Sequence, residues 1–209
     1  MKKDYDITKT KLIIWDLDET FWDGTLSEGN VQFRFENVEL VRELTTKGIM
    51  NSICSKNDFE LAKSKFIESG LKDVWDMFVF PSIDWSAKAG RVNNIIKSMN
   101  LRAENVIFID DNEININEVK FYIPEIMTAT PENLHKIAEE LYLVNDYDFE
   151  HTRLKQYKIL EEKSIQKLNA NSNKEFLVSS DIKICIKKDC LKNIDRLKKL
   201  ISRTNQLNF

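Results

Sequence analysis

Along residues 11–141, apolar positions alternate between short continuous runs and the three-to-four spacing of amphipathic helices. Residues 11–15 (KLIIW) form a β-rich run and predict a first strand. Residues 38–47, with Val38, Leu40, Val41 and Leu44 on one side, predict a helix stopped by Gly48. The same alternation predicts a second strand at 49–54, a helix at 59–69 ended by Gly70, a third strand at 77–80 (MFVF), a helix at 91–99 and a fourth strand at 106–109 (VIFI). A helix over 115–123 must end before Pro124, an edge strand follows at 126–129, and a further helix spans 131–141. Strands joined through helices by short links imply a parallel sheet covered on both faces. In such a three-layer α/β arrangement the ligand sits at the carboxyl ends of the strands.

After about residue 145 the pattern changes. A long polar helix rich in Lys and Glu is expected at 147–168, a turn-rich break at 169–174 (NANSNK), a strand at 182–186 and a basic amphipathic helix at 191–202. The chain therefore divides into a sheet domain, residues 1–145, and a mostly helical extension, residues 146–209. An apolar helix with only RTNQLNF after it is expected to belong to a longer protein, or to pack on the core or on another subunit. Charge follows the same division. Residues 1–150 carry 17 Lys and Arg against 28 Asp and Glu (net −11), and residues 151–209 carry 14 against 6 (net +8). Two readings of the basic part stand: lysines that solvate helix faces, or a patch that steers an acidic protein partner. The overall net charge of −3 argues against a dedicated nucleic-acid binder. No apolar run reaches the roughly 18–20 residues of a membrane span, and MKKDYDITKTK lacks the apolar stretch of a secretory signal, so the expected location is the cytoplasm. Cys54, Cys185 and Cys190 match no zinc spacing and are read as free thiols.

Polar clusters follow the predicted strands wherever a ligand is expected. The first strand runs into WDLDET, with Asp16 and Asp18 two residues apart, a spacing that in extended chain points both side chains to one side. The second ends in Cys54-Ser55-Lys56-Asn57, Lys88 follows the third after a loop, and the fourth ends in Asp110-Asp111. One pair of aspartates is commonly only turn chemistry. Four clusters of the right chemical type, in this order, are what phosphoryl transfer requires. Asp16 and Asp110 can bind a hard cation such as Mg²⁺. Ser55, Lys88 and the backbone near Lys56 can hold the equatorial phosphate oxygens. Asp18 is placed for acid–base work beside a nucleophilic Asp16. Trp22 and Trp85 flank the motifs, either lining the pocket or packing beneath it, and His135 and His151 are read as surface residues.

These residues resemble the four motifs of the haloacid dehalogenase (HAD) superfamily over roughly residues 10–145. The resemblance implies a HAD-like, Rossmannoid fold with Asp16 as nucleophile and metal ligand. It implies Asp18 as acid/base and as a ligand through its carbonyl, Thr20 as the residue that orients the loop, Ser55 and Lys88 as phosphate-binding residues, and Asp110-Asp111 as the paired metal acids. Lys56, Asn57 and Trp22 join Ser55 and Lys88 as expected substrate contacts. The gaps from Thr20 to Ser55 and from Ser55 to Lys88 are too short for a cap domain, so FWDGTLSEGNVQFRF is expected to form only a flap hairpin, with Gly24 and Gly29 at turns. More narrowly, IIWDLDETFWDGTLSEG, ICSKND, FIDDNEININEV and RTNQLNF resemble the FkbH-like branch, subfamily IIIC. That branch is associated with loading a glyceryl unit from a phosphorylated three-carbon donor onto an acyl carrier protein, and its sequences continue into an acyltransferase-like region. Cys54 is then either a thioester nucleophile beside Ser55 or a buried filler at a strand end. The rival expectations are a plain capless phosphohydrolase acting on a sugar phosphate, glycerate phosphate or phosphoprotein, and a non-enzymatic module that binds Mg²⁺ and a phosphorylated ligand.

Overall fold

The computed structural model describes residues 5–144 and 146–169, with residue 194. The strand expected at 182–186, Cys185, Cys190, the RTNQLNF phrase and, residue 194 apart, the helix at 191–202 lie outside the described residues. In chain order the elements are β1 (Leu12–Trp15), β2 (Trp22–Asp23), β3 (Gln32–Phe33), α1 (Phe35–Thr46), β4 (Met50–Ser55), α2 (Phe59–Glu68), α3 (Lys72–Met77), β5 (Ser82–Ile83), α4 (Lys88–Ser98), β6 (Val106–Ile109), α5 (Glu113–Tyr122), β7 (Met127–Ala129), α6 (Leu134–Tyr142) and α7 (Thr152–Asn169).

Five strands form one parallel sheet in the order β5-β4-β1-β6-β7. The inner strands are buried on both faces, which is why they read as unbroken apolar runs. Alternation along them separates two cores. Ile13, Trp15, Ile53 and Ile109 face the layer that includes α1, α2 and α6, against Val41, Leu44, Phe66 and Leu141. Leu12, Ile14, Met50 and Phe108 face α4 and α5, against Val92, Ile95 and Val119. Between β1 and β4 the chain holds only the β2–β3 ribbon, a single 3-10 turn and α1, and between Ser55 and Lys88 only α2, α3 and β5, so neither interval contains a cap domain. Gly24 and Gly29 turn the ribbon in left-handed backbone (φ +89° and +87°). At Gly24 a Cβ would lie 2.4 Å from the Asn30 carbonyl oxygen.

The third strand is not where periodicity places it. Met77 ends α3, a helix not foreseen, and residue 78 makes a lone bridge to Asn51. Phe80 then takes φ +51°, Pro81 follows, and the paired strand is β5 at Ser82–Ile83. MFVF mimics a strand because Phe78 and Val79 are buried in opposite cores. Beyond the Val79 N–H, which donates to the Asn51 carbonyl (2.9 Å), its backbone is claimed from outside the sheet: Lys158 of α7 donates to the Phe78 carbonyl (2.5 Å), and Glu161 accepts from the Phe80 N–H (2.7 Å). Leu154 and Tyr157 of α7 pack on the α4–α5 core, and α7 as far as Leu168 belongs to the same compact unit as the sheet. No helix among the described residues is long and apolar enough to cross a membrane.

Candidate active site

Strands β1 and β6 are paired in register from Leu12↔Val106 to Trp15↔Ile109, so Asp16 and Asp110, each one residue further, emerge together at the carboxyl edge. The Asp16 N–H donates to the Ile109 carbonyl (2.9 Å), and Asp110 is fixed likewise to Ala129 (3.2 Å). Ser55 ends the neighbouring β4, and Lys88 is the first residue of α4. All four side chains are buried. The Lys88 ammonium bridges the two acids, donating to Asp16 Oδ1 (2.5 Å) and to Asp110 Oδ2 (2.6 Å). Burial pushes Asp16 up to about 6; Lys88 opposes this, the Asp110 carboxylate adds to it, and the Ser55 hydroxyl opposes it more weakly. Burial alone would lower Lys88, but the two carboxylates hold it above the ordinary lysine value.

Asp16, Asp110 and Asp111 each offer a carboxylate oxygen, all within 4.8 Å of one another. Three hard oxygen donors at one point fit a Mg²⁺-type cation, which binds through a few carboxylates and keeps its other positions for water or phosphate. Burial, then the Asp110 charge, raises Asp111 as well, as expected where acids crowd. Thr20 links the first and fourth clusters: its hydroxyl accepts from the Asp111 N–H (3.0 Å). Its carbonyl is held by Asn37 (3.0 Å) and Arg34 (3.1 Å).

Asp18 lines the same cleft, although strand alternation does not place it there. The strand ends at Trp15, Leu17 turns into the core, and the Phe21 N–H returns to the Leu17 carbonyl (2.8 Å). Asp18 Oδ1 then accepts from Trp22 Nε1 (2.9 Å) and from the Leu26 N–H (3.1 Å). Glu19, in left-handed backbone, closes this turn by accepting from the Gly24 N–H (3.0 Å). The cleft, of about 210 Å³, is lined by Asp16, Asp18, Ser55, Lys56, Lys88 and Asp111 among others. Lys56 reaches Asn115 Oδ1 (3.3 Å).

Three expected contacts fall elsewhere. Trp22 does not line the cleft: it is fully buried against Phe33 and Phe66, because its ring completes the aromatic core while its N–H serves Asp18. Asn57 is buried beneath the cleft and donates to Ser55 Oγ (3.2 Å). Cys54 lies on the opposite face of β4, fully buried with its Sγ 4.0 Å from the Lys88 carbonyl oxygen, and burial pushes its thiol up to about 12. His135 lies exposed on α6, and Trp85 is 69% exposed. Sequence reasoning missed Asn115, whose Nδ2 donates to both Asp110 oxygens (3.1 and 3.3 Å), and Asn112, which caps α5. The only available signal for them was their position within the first turn after Asp110-Asp111.

No family model and no curated protein matches the chain. Among solved structures it is similar to the N-terminal part of a Bacteroides fragilis protein containing a phosphatase domain, complexed with Mg. That likeness has 27% identity and a TM-score of 0.57, covering 66% of this chain and 41% of that one. The chain thus spans less than half the length of that relative. It is also similar to a provisionally assigned HAD-superfamily (subfamily III A) hydrolase from Legionella pneumophila, at 12% identity and a TM-score of 0.50, over 73% of this chain and 91% of that one. A five-stranded parallel sheet between helical layers, with acids at the carboxyl edge and a ribbon in place of a cap, is the HAD-type α/β fold in its capless form.

Proposed function

We propose that the protein is a capless, Mg²⁺-dependent phosphatase in which Asp16 attacks the phosphorus of a phosphomonoester. The observation that carries this reading is the pairing of one buried ammonium with two buried carboxylates, with a third acid within 4.8 Å, at the ends of adjacent parallel strands. A charged cluster of this kind is costly to bury and serves no packing purpose. Likeness to a Mg-complexed phosphatase-domain protein supports the same chemistry.

In this reading the Asp16–phosphorus bond forms as the ester P–O bond breaks, and the departing oxygen takes its proton from Asp18. Asp18 Oδ1 is already fixed by Trp22 and Leu26, so the acid is oriented before substrate arrives. Water then attacks the aspartyl phosphate with Asp18 as base, releasing inorganic phosphate and restoring the carboxylate. Ser55, Lys56 and Lys88 hold the equatorial oxygens. Mg²⁺ held by Asp16, Asp110 and Asp111 supplies the charge that offsets repulsion between carboxylate and phosphate. An open cleft without a cap admits a bulky phosphorylated substrate. The test is Mg²⁺-dependent release of phosphate from p-nitrophenyl phosphate and from a panel of sugar and glycerate phosphates. Loss of turnover in Asp16→Asn is expected, and a folded wild type without turnover on any of them refutes the reading.

The narrower reading, glyceryl loading of an acyl carrier protein, rests on the FkbH-like phrases and on Cys54 adjoining Ser55. Against it stand the burial and raised pKa of the thiol, which require β4 and α4 to part before Cys54 can accept an acyl group. A hydroxylamine-labile adduct on Cys54 after incubation with a triose acyl phosphate, read by peptide mass spectrometry, supports loading. Active protein without the adduct removes it.

A further inference from the structure

Arg91 lies one turn into α4 from Lys88 and is 7% exposed. Its guanidinium gathers four backbone carbonyls. Nη1 donates to Ser55 and to Ser82 (both 2.9 Å), Nη2 to Ser86 (3.1 Å) and Nε to Ala87 (3.4 Å). Three of these carbonyls belong to segments that deliver a cleft residue, and the fourth to the strand that pairs with one of them. Ser55 carries the hydroxyl beside Asp16, Ser82 opens the short strand paired to the end of β4, and Ser86 and Ala87 immediately precede Lys88. Asp84 braces the same loop, its carboxylate 3.6 Å from Arg91 Nε and bonded to the Ser86 N–H (2.7 Å).

We infer that Arg91 is a positioning residue that locks the Ser55 strand end to the Lys88 loop and so sets the geometry of the phosphate cradle. Only a planar fork of five donors can serve carbonyls arriving from three directions; an ammonium has the charge but not the span. The β4–β5 junction needs such a tie because β5 is two residues long and pairs only Cys54 and Ser55. Ladder hydrogen bonds alone hold this corner weakly, and a displacement of about 1 Å at the reacting groups is enough to cost catalysis about 100-fold. The inference rests on the phosphatase reading for its kinetic consequence and on geometry alone for its structural one.

The test uses Arg91→Met and Arg91→Lys, with Arg153→Met as control. Arg153 makes a comparable staple remote from the cleft, to the Gly48 carbonyl (3.1 Å) and Asp146 (2.7 Å). Two quantities are read: kcat and KM on p-nitrophenyl phosphate with Mg²⁺, and the rate at which iodoacetamide labels Cys54, followed by peptide mass spectrometry. Cys54 lies at the joint that Arg91 closes, so its protection reports whether the joint holds. The expected result is a fall in kcat of about 10- to 100-fold in Arg91→Met, smaller in Arg91→Lys, with KM within about 2-fold. Cys54 labelling rises in both, while Arg153→Met lowers Tm without changing kcat or labelling. Folded Arg91 variants with wild-type kcat and wild-type labelling overturn the inference. So does equal exposure of Cys54 in Arg153→Met, which would make the effect one of global stability. If the wild type shows no turnover, the phosphatase reading fails and the Cys54 labelling still decides the role of Arg91.

Discussion

Replacing Asp16 by Asn removes the proposed nucleophile, and the structure requires that in Mg²⁺-free buffer the same change does not weaken the fold. Asp16 titrates at about 6 in the folded protein against an ordinary value of 3.8. Between those values the folded state holds more protons than the unfolded chain, so stability falls as pH rises, and the cost is complete above about pH 6. The gap corresponds to about 3 kcal/mol, without a discount for solvent because the carboxylate is 6% exposed. Asparagine keeps the shape and carries no charge, while Lys88 retains Asp110. The raised value already contains the opposing pull of Lys88, so Asp16→Asn is expected to be stabilising by up to about 3 kcal/mol at pH 7.5.

Urea unfolding followed by fluorescence of the buried Trp15 and Trp22 measures this directly. The difference between variant and wild type must shrink towards zero as pH falls from 7.5 to about 3, since the wild-type carboxylate is then largely protonated in both states. Mg²⁺ must narrow or reverse the order, because it stabilises only the protein that binds it well, by about 2.7 kcal/mol at a concentration of 100 Kd. An Asp16→Asn protein more than about 1 kcal/mol less stable at pH 7.5, or a difference independent of pH, would refute the claim that burial of this charge is costly.

Trp22→Phe keeps the aromatic packing but strips Asp18 of its indole donor; a loss of about 2 kcal/mol and a lower kcat at unchanged fold are expected, measured by urea unfolding and steady-state kinetics. Phe66 meets Phe21, Trp22, Phe33, Trp75 and Phe78, so Phe66→Ala should cost about 3–5 kcal/mol and lower Tm by roughly 6–20 °C in calorimetry. Asp148 caps α7 by accepting from the Arg153 and Thr152 N–H groups, which hold its carboxyl down at about 2. Its stabilising effect is present above about pH 4 and lost as pH falls through about 2, so Asp148→Asn should differ from wild type at neutral pH and converge with it in acid, read as the acid limb of the circular dichroism signal.

The parts of this fold that were legible in the sequence are those where burial left no choice of residue. Strands β1, β4 and β6 are covered on both faces, and the clusters after them stand out because acids and an ammonium at the end of a buried strand have no solvent to justify them. Residues 77–80 misled for the same reason: burial alone was visible, and the source of their hydrogen bonds, Lys158 and Glu161 about eighty residues later, was not. Asn115, Asn37 and Arg91 were illegible because a polar residue on a helix looks like a solvated face until its partners are placed. These three hold carboxylates and carbonyls of the residues around the cleft. The sequence therefore exposes the groups whose charge is unpaid by local structure, and conceals the groups that compensate them. Asp16 and Asp110 belong to the first class and Arg91 to the second, and a site built from both can be located from the chain yet not oriented from it.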